Sequence, residues 1–256
     1  MHKIQRTVTV VSNSKVCPQY YRLSLDAGSA VNEARPGQFI HIRVTDGVEP
    51  FFRRPFSVFR AAKTMDILYD VVGKGTEILS SRKRGDRLDV LGPLGTPFCE
   101  PAPAVRQVVM IAGGIGVAPF LIFSDFLKKK RVEKILLYGA RAQAQVFDFK
   151  AFRKNGVEVF ASTEDGSVGV KGRVTRLFGK IRQDPQTTML YACGPKPMLA
   201  AVQDFAKGHR LPGQVSCEEV MACGLGACLG CSIPTVSGYK TVCHDGPVFD
   251  VHEPCF

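Results

Sequence analysis

Apolar and polar residues alternate over Thr7-Val8-Thr9-Val10-Val11, the period-two mark of a half-buried strand. Similar runs at Tyr20–Leu25, Gln38–Val44, Phe56–Ala61, Met65–Val72 and Arg87–Leu91 predict further strands. Turn signals separate them: Ala27-Gly28-Ser29, Arg35-Pro36-Gly37 and Gly92-Pro93-Leu94-Gly95. Five or six antiparallel strands at this spacing predict a small N-terminal β-barrel. Past Pro101–Pro103 the pattern changes. Val108–Ala112 is wholly apolar, as a strand buried on both faces requires. A Gly-rich turn and a predicted helix over 118–130 follow. Strands at Ile135–Tyr138, Val157–Ala161 and Met189–Ala192 alternate with helices near 147–154, 174–181 and 196–207. That alternation predicts a doubly wound parallel sheet. Beyond Gly213 a cysteine loop and a short tail are expected. The expected domains are residues 1–102, 103–212 and 213–256.

The cysteine loop carries the strongest chemical signal. Cys223, Cys228 and Cys231 are spaced C-x4-C-x2-C, and Cys243 follows at a distance. This is the plant-type [2Fe–2S] arrangement, whereas zinc sites usually show two short cysteine pairs. Gly224, Gly226 and Gly230 are expected to supply positive φ where the loop turns about a cluster. Cys217 and Cys255 are read as free thiols near the surface.

Two weaker signals concern nucleotides. Arg54-Pro55-Phe56-Ser57 opens a strand, Leu68-Tyr69-Asp70 ends one, and Gly75-Thr76 stands at a predicted helix start over 77–81. Backbone N–H groups at such a start suit a pyrophosphate, and an arginine completes the clamp. Gly113, Gly114 and Gly116 follow the apolar strand, and Cys193-Gly194-Pro195 ends another, on the sheet edge where nucleotides bind. The G-x-G-x-x-G fingerprint itself is absent.

In this order the motifs resemble those of the ferredoxin–NADP reductase superfamily. The cysteine loop and Cys243-His-Asp-Gly-Pro-Val-Phe249 narrow the resemblance to the electron-transfer subunits of NAD-dependent dihydroorotate dehydrogenase B, along nearly the whole chain. The resemblance implies that Arg54, Pro55, Phe56 and Ser57 line FAD, with Leu68, Tyr69 and Asp70 along it. It places Gly75 and Thr76 at the pyrophosphate. Gly113 to Gly116 and Cys193 to Pro195 would face a diffusible NAD. Phe56 replaces a tyrosine common among relatives, and Asp70 an arginine. It further implies an FMN-containing catalytic subunit as partner, in a heterotetramer of two of each. Nothing in this chain reads as an orotate site, so no catalytic residue is assigned to it. Reductase subunits serving sulfite reductase, hydrogenase or ferredoxin-linked transhydrogenase remain alternatives, as does a zinc-stabilised binding module.

Composition constrains the rest. The 256 residues suffice for two domains and an appendage, and 45% hydrophobic with 22% charged residues is globular usage. The net charge of +11 is scattered, with no basic tail or stripe, so nucleic acid is not expected as a partner. The longest apolar stretch, 108–123, is broken by three glycines and Pro119, so no membrane span is expected. With no signal-peptide core at the N-terminus, the expected location is cytoplasmic. Nine cysteines there point to metal rather than to a disulfide framework.

Overall fold

Val8 and Val10 of β1 (Gln5–Lys15) are buried while Thr7 and Thr9 face outward, so the sequence alternation is realised as one buried strand face. A computed structural model describes residues 5–256. β2 (Tyr20–Asp26), β3 (Phe39–Arg43), β4 (Arg54–Ala61), β5 (Met65–Asp70) and β6 (Arg87–Leu94) follow. They close an antiparallel barrel in the order β1-β2-β5-β4-β3-β6. Two short helices interrupt the barrel: α1 (Ala30–Glu33), which the sequence reading did not foresee, and α2 (Lys74–Ser80).

The second sheet runs β10-β9-β8-β7-β11-β12-β15. Its strands are β7 (Gln107–Gly113), β8 (Glu133–Ala140), β9 (Val157–Thr163), β10 (Val170–Lys171), β11 (Thr188–Cys193), β12 (Gly213–Ser216) and β15 (Val248–Asp250). All pair in parallel except β15. Both faces of β7 are covered. Val109 and Ile111 pack towards α5 (Lys196–His209), while Val108 and Met110 pack towards α3 (Ala118–Phe126). This is the doubly wound arrangement that the wholly apolar β7 demanded.

Three helix expectations need correction. The segment 174–181 forms a 3₁₀ helix over Val174–Lys180, because β-branched Val174 and Thr175 and then Gly179 are poor α-formers. The helix expected over 118–130 ends at Phe126 and passes through a 3₁₀ turn, since the like charges Lys128 to Arg131 repel at helical spacing. α4 spans only Lys150–Lys154: the Asp148 carboxylate accepts the Lys150 N–H at 2.9 Å and fixes the start there.

The segment past Gly213 is more than loop and tail. β12 and β15 extend the parallel sheet, and between them β13 (Ser232–Thr235) and β14 (Gly238–Thr241) form a hairpin. Cys231, Val242, Cys243 and Phe249 share a core with the sheet residues Leu190 and Val215 and the barrel residues Phe39 and Leu94. Among the described residues, no helix is long and apolar enough to cross a membrane.

Candidate functional site

A cleft of about 610 Å³ lies where barrel, parallel sheet and cysteine segment meet. The strand β4 contributes Arg54, Pro55, Phe56 and Ser57, and the end of β5 contributes Leu68, Tyr69 and Asp70. Thr76 closes the same wall. Its hydroxyl accepts the Val72 and Gly73 N–H groups at 2.9 and 3.2 Å and donates to the Gly73 carbonyl at 3.0 Å, which fixes the turn into α2. Gly75 stands behind Arg54 rather than on the cleft. A Cβ there would come 3.0 Å from Arg54 Nε, so glycine lets the guanidinium lie flat on the turn. Arg54 Nη1 donates to the Phe52 carbonyl at 2.6 Å, leaving the rest of the fork for an anion.

Two of these side chains are already engaged. Tyr69 is 1% exposed and donates its hydroxyl to Asn13 Oδ1 at 3.0 Å, while burial pushes its phenol up to about 12. Both oxygens of Asp70 accept from Gln19 Nε2, at 2.8 and 2.7 Å. Asp70 is thereby tied to the turn that leads into β2.

The nicotinamide candidates converge at the C-terminal ends of β7 and β11. Strand order reverses there, because β8 and β9 lie to one side of β7 and β11 to the other. The two loops touch backbone to backbone. A Cβ on Gly116 would sit 2.3 Å from the Cys193 carbonyl oxygen, and one on Gly194 2.9 Å from the Gly113 nitrogen. A Cβ on Gly113 would meet Pro195 and Met198 at 2.8 Å. Gly114 has φ +55°, a left-handed turn that a side chain would strain. Cys193 itself is buried, and burial raises its thiol, so it is no nucleophile.

The four candidate cysteines are brought together by the loop. Cys223 neighbours Cys228, and Cys243 neighbours both Cys231 and Cys223. Backbone N–H groups already point at sulfur: Gly226 to Cys243 at 3.1 Å, Leu225 to Cys223 at 3.4 Å and Cys243 to Cys231 at 3.4 Å. Burial works against ionisation of Cys223, but N–H groups of Leu225, Cys228 and Ala227 bring it down to about 6. Burial drives Cys243 up to about 12. Among the described residues, no three His, Cys, Asp or Glu side chains close on one point as a single-ion site would have them. Four neighbouring thiols with backbone N–H groups aimed at them suit a [2Fe–2S] cluster, which takes four thiolates. Asp245 braces the return strand, accepting from Thr241 N and Oγ1 at 2.7 and 2.8 Å.

Gly224 and Gly226 have φ +69° and +82°, as the sequence led one to expect, but Gly230 does not. The third left-handed position is Leu229, at φ +58°. An L-residue there costs about 1–2 kcal/mol.

Three cleft residues escaped the sequence reading. Cys217, expected near the surface, is 5% exposed, lines the cleft, and is pushed by burial up to about 12. Cys255 is exposed, as expected. Glu218 and Glu219 follow Cys217 along the cleft wall, and Glu219 pairs with Lys196 at the start of α5. Glu218 has ample exposed area on the cleft yet is crowded by its walls, and burial raises its carboxyl. Their one local signal was position, directly after the apolar Val215 at the sheet's C-terminal edge.

His41 also escaped notice. It is 0% exposed on β3, and neither ring nitrogen has a hydrogen-bond partner of ordinary geometry, the Arg53 backbone being the nearest candidate. Leaving such a group unpaired costs about 1–3 kcal/mol. Burial, reinforced by the charges of Arg53 and Arg54, pushes the imidazole down to about 4, so the ring is neutral near pH 7.

Comparison with known proteins agrees with this geometry. Residues 218–254 match the family model for the iron–sulfur cluster binding domain of dihydroorotate dehydrogenase B, and residues 110–204 that for the oxidoreductase NAD-binding domain. The electron transfer subunit of dihydroorotate dehydrogenase B (NAD(+)) from Geobacillus thermodenitrificans is 39% identical over 253 residues, covering 96% of each chain. That from Desulforamulus reducens is 38% identical, covering 91% of this chain and 92% of the relative. Among solved structures, one of an NADH-dependent reduced ferredoxin–NADP oxidoreductase superposes with a TM-score of 0.85 at 29% identity, over 97% of this chain and 89% of its own. A ferredoxin NADP+ reductase from Neisseria gonorrhoeae shares the fold, with a TM-score of 0.67 at 18% identity, over 80% and 91% of the two chains. With this identity sustained from end to end, the chain belongs to the family of dihydroorotate dehydrogenase B electron transfer subunits.

Proposed function

We propose that this chain passes electrons from an FMN-containing dihydroorotate dehydrogenase catalytic subunit, through [2Fe–2S] and FAD, to NAD+ in pyrimidine biosynthesis. One observation carries the reading: a single cleft is walled by Arg54–Ser57, by Ile115 of the Gly113–Gly116 loop, and by Ser216–Val220 leading into the cysteine loop. Nicotinamide exchanges two electrons as hydride and an iron–sulfur cluster exchanges one, so a flavin that handles both belongs between them. In this reading, residues 1–102 hold FAD, 103–212 take NAD, and 213–256 hold the cluster through Cys223, Cys228, Cys231 and Cys243. Arg54 would meet the FAD pyrophosphate, with backbone N–H groups of Gly75 and Thr76 behind it. Pro55, Phe56 and Ser57 would edge the flavin ring, with Leu68 and the Tyr69-Asp70 backbone alongside. Gly113, Gly114, Gly116, Cys193, Gly194 and Pro195 would leave room for nicotinamide and exclude water from its face.

The partner completes the assembly as a heterotetramer of two of each subunit. No two of the nine cysteines are joined in a disulfide, in keeping with a reducing, cytoplasmic location. The test is reconstitution: neither subunit alone, but the two together, should convert dihydroorotate to orotate with reduction of NAD+. The ferredoxin–NADP oxidoreductase likeness favours one rival, a transhydrogenase subunit. Activity with ferredoxin and none with dihydroorotate would establish that rival.

The pyrophosphate clamp requires a dinucleotide. Flavin released by acid from the isolated chain should therefore run as FAD on chromatography, and FMN alone would refute the clamp.

NAD should be preferred over NADP. The loop after β9 carries Glu164 and Asp165, and its backbone joins the loop after β8 through the Asp165 N–H on the Arg141 carbonyl at 3.2 Å. The Asp165 carboxylate is held by Ser167, at 3.0 Å from its N–H and 2.7 Å from its hydroxyl, so Glu164 is the acid turned to solvent. A carboxylate there accepts ribose hydroxyls and repels a 2′-phosphate. One such contact is worth about 1.5–3 kcal/mol, so kcat/KM for NADH should exceed that for NADPH about tenfold to hundredfold. Equal use of the two would mean that Arg141 outweighs the acids.

A further inference from the structure

His41 stands between the cleft and the cysteine loop. Its partner on the adjacent strand β4, which lines the cleft, is Pro55, and its ring meets that of Phe39, another cleft residue, at 6.5 Å. On the other side it lies against the cysteine loop: a Cβ on Gly224 would fall 2.6 Å from His41 Nδ1. Gly224 follows Cys223 directly and turns at φ +69°, so the loop backbone closes directly over the imidazole. A fully buried ring with two unpartnered nitrogens is expensive unless something in the working protein accepts its N–H. The Arg53 backbone lies on one side, and on the other the loop backbone that begins at Cys223 closes over the ring.

We propose that His41 is a positioning residue for electron transfer, whose ring N–H donates to a sulfur of the cluster held by Cys223, Cys228, Cys231 and Cys243. This inference rests on the cluster assignment above. An N–H donated to sulfur favours the more negatively charged, reduced state and so raises the reduction potential. The same bond ties the cysteine loop to β3, the strand paired with the cleft-lining β4, fixing the separation between the two carriers.

The experiment compares wild type, His41→Leu and His41→Gln as full-length chains, first by iron and sulfide content, then by potentiometric titration followed by electron paramagnetic resonance. With His41→Leu the one-electron equilibrium between cluster and flavin should shift about tenfold towards the flavin, a fall of about 59 mV in the cluster potential. His41→Gln keeps an N–H donor and should recover part of that shift. Pulsed resonance on the reduced wild type, grown with ¹⁵N-histidine, should show a weak nitrogen coupling that His41→Gln lacks. This comparison decides the matter even if His41→Leu fails to load. An unchanged potential in both variants overturns the inference, as does a coupling that persists in His41→Gln. The latter would belong to His244, whose ring lies against Gly226. A wild-type chain without iron would overturn the cluster assignment itself, whereas a loaded wild type with unaffected variants overturns only the role of His41.

Discussion

Replacing Cys243 by alanine should abolish the resonance signal of the reduced cluster, while Cys217→Ala and Cys255→Ala leave it intact. Cys243 is 1% exposed and interlocked with its neighbours: its Sγ accepts from Gly226 N, and its own N–H points at Cys231 Sγ. If Cys243 is a ligand, deleting its sulfur leaves three of the four thiolates that a [2Fe–2S] cluster needs. Cys217 is no substitute, because its backbone N–H is bound to the Pro247 carbonyl at 2.8 Å and it faces the cleft. Cluster binding and folding of the 223–243 segment are coupled, so the variant should also lose protection of the β13–β14 hairpin against proteolysis. Iron content and low-temperature spectra check the first expectation, and limited digestion the second. A wild-type signal from Cys243→Ala would sink the ligand assignment.

The four candidate cysteines stood out in the sequence because iron–sulfur spacing is a local property: three lie within nine residues and the fourth follows one hairpin. The barrel strands and β7, β8, β9 and β11 were legible for the same reason, since alternation and apolar runs are read over five to eight residues, whereas the two-residue β10 was too short to show. What escaped depends on separations that no window spans. Cys217 looked exposed because polar Ser216, Glu218 and Glu219 surround it. Its burial comes from β12 joining β11 and from Pro247, thirty residues later. His41 read as one polar residue in a strand. Its meaning comes from Gly224 folding back across the barrel. Gly230 was expected to turn the loop because glycine is permissive, yet the chain takes its left-handed step one residue earlier. Composition says where a turn is cheap, and the geometry of four sulfurs says where it must fall.

Gly116→Ala should cripple the nicotinamide half-reaction while sparing the cluster. The new methyl would lie 2.3 Å from the Cys193 carbonyl oxygen and 2.6 Å from its carbon, both backbone atoms, so no side chain can swing aside. Nor can the strands separate cheaply. β7 and β11 are paired in register up to Ala112 and Cys193, in the centre of the seven-stranded sheet. The strain must go into the two loops, parting Gly113–Gly116 from Cys193–Pro195. Overpacking of this kind costs about 1–3 kcal/mol of stability. The displaced loops should lower the rate of flavin reduction by NADH at least about tenfold, since a misplacement near 1 Å costs about a hundredfold in rate. Gly208→Ala is the control: it lies in α5 with nothing within 4 Å of its Cβ, and should leave the rate unchanged and raise stability by about 0.5–1 kcal/mol. Stopped-flow bleaching of the flavin and thermal melts measure both effects. The cluster signal should stay as in wild type, because the cysteine loop hangs from β12 and β15 rather than from β7. If Gly116→Ala reduces its flavin as fast as the Gly208 control, the contact between these loops does not form the nicotinamide site, and NAD must approach the flavin from another side of the cleft.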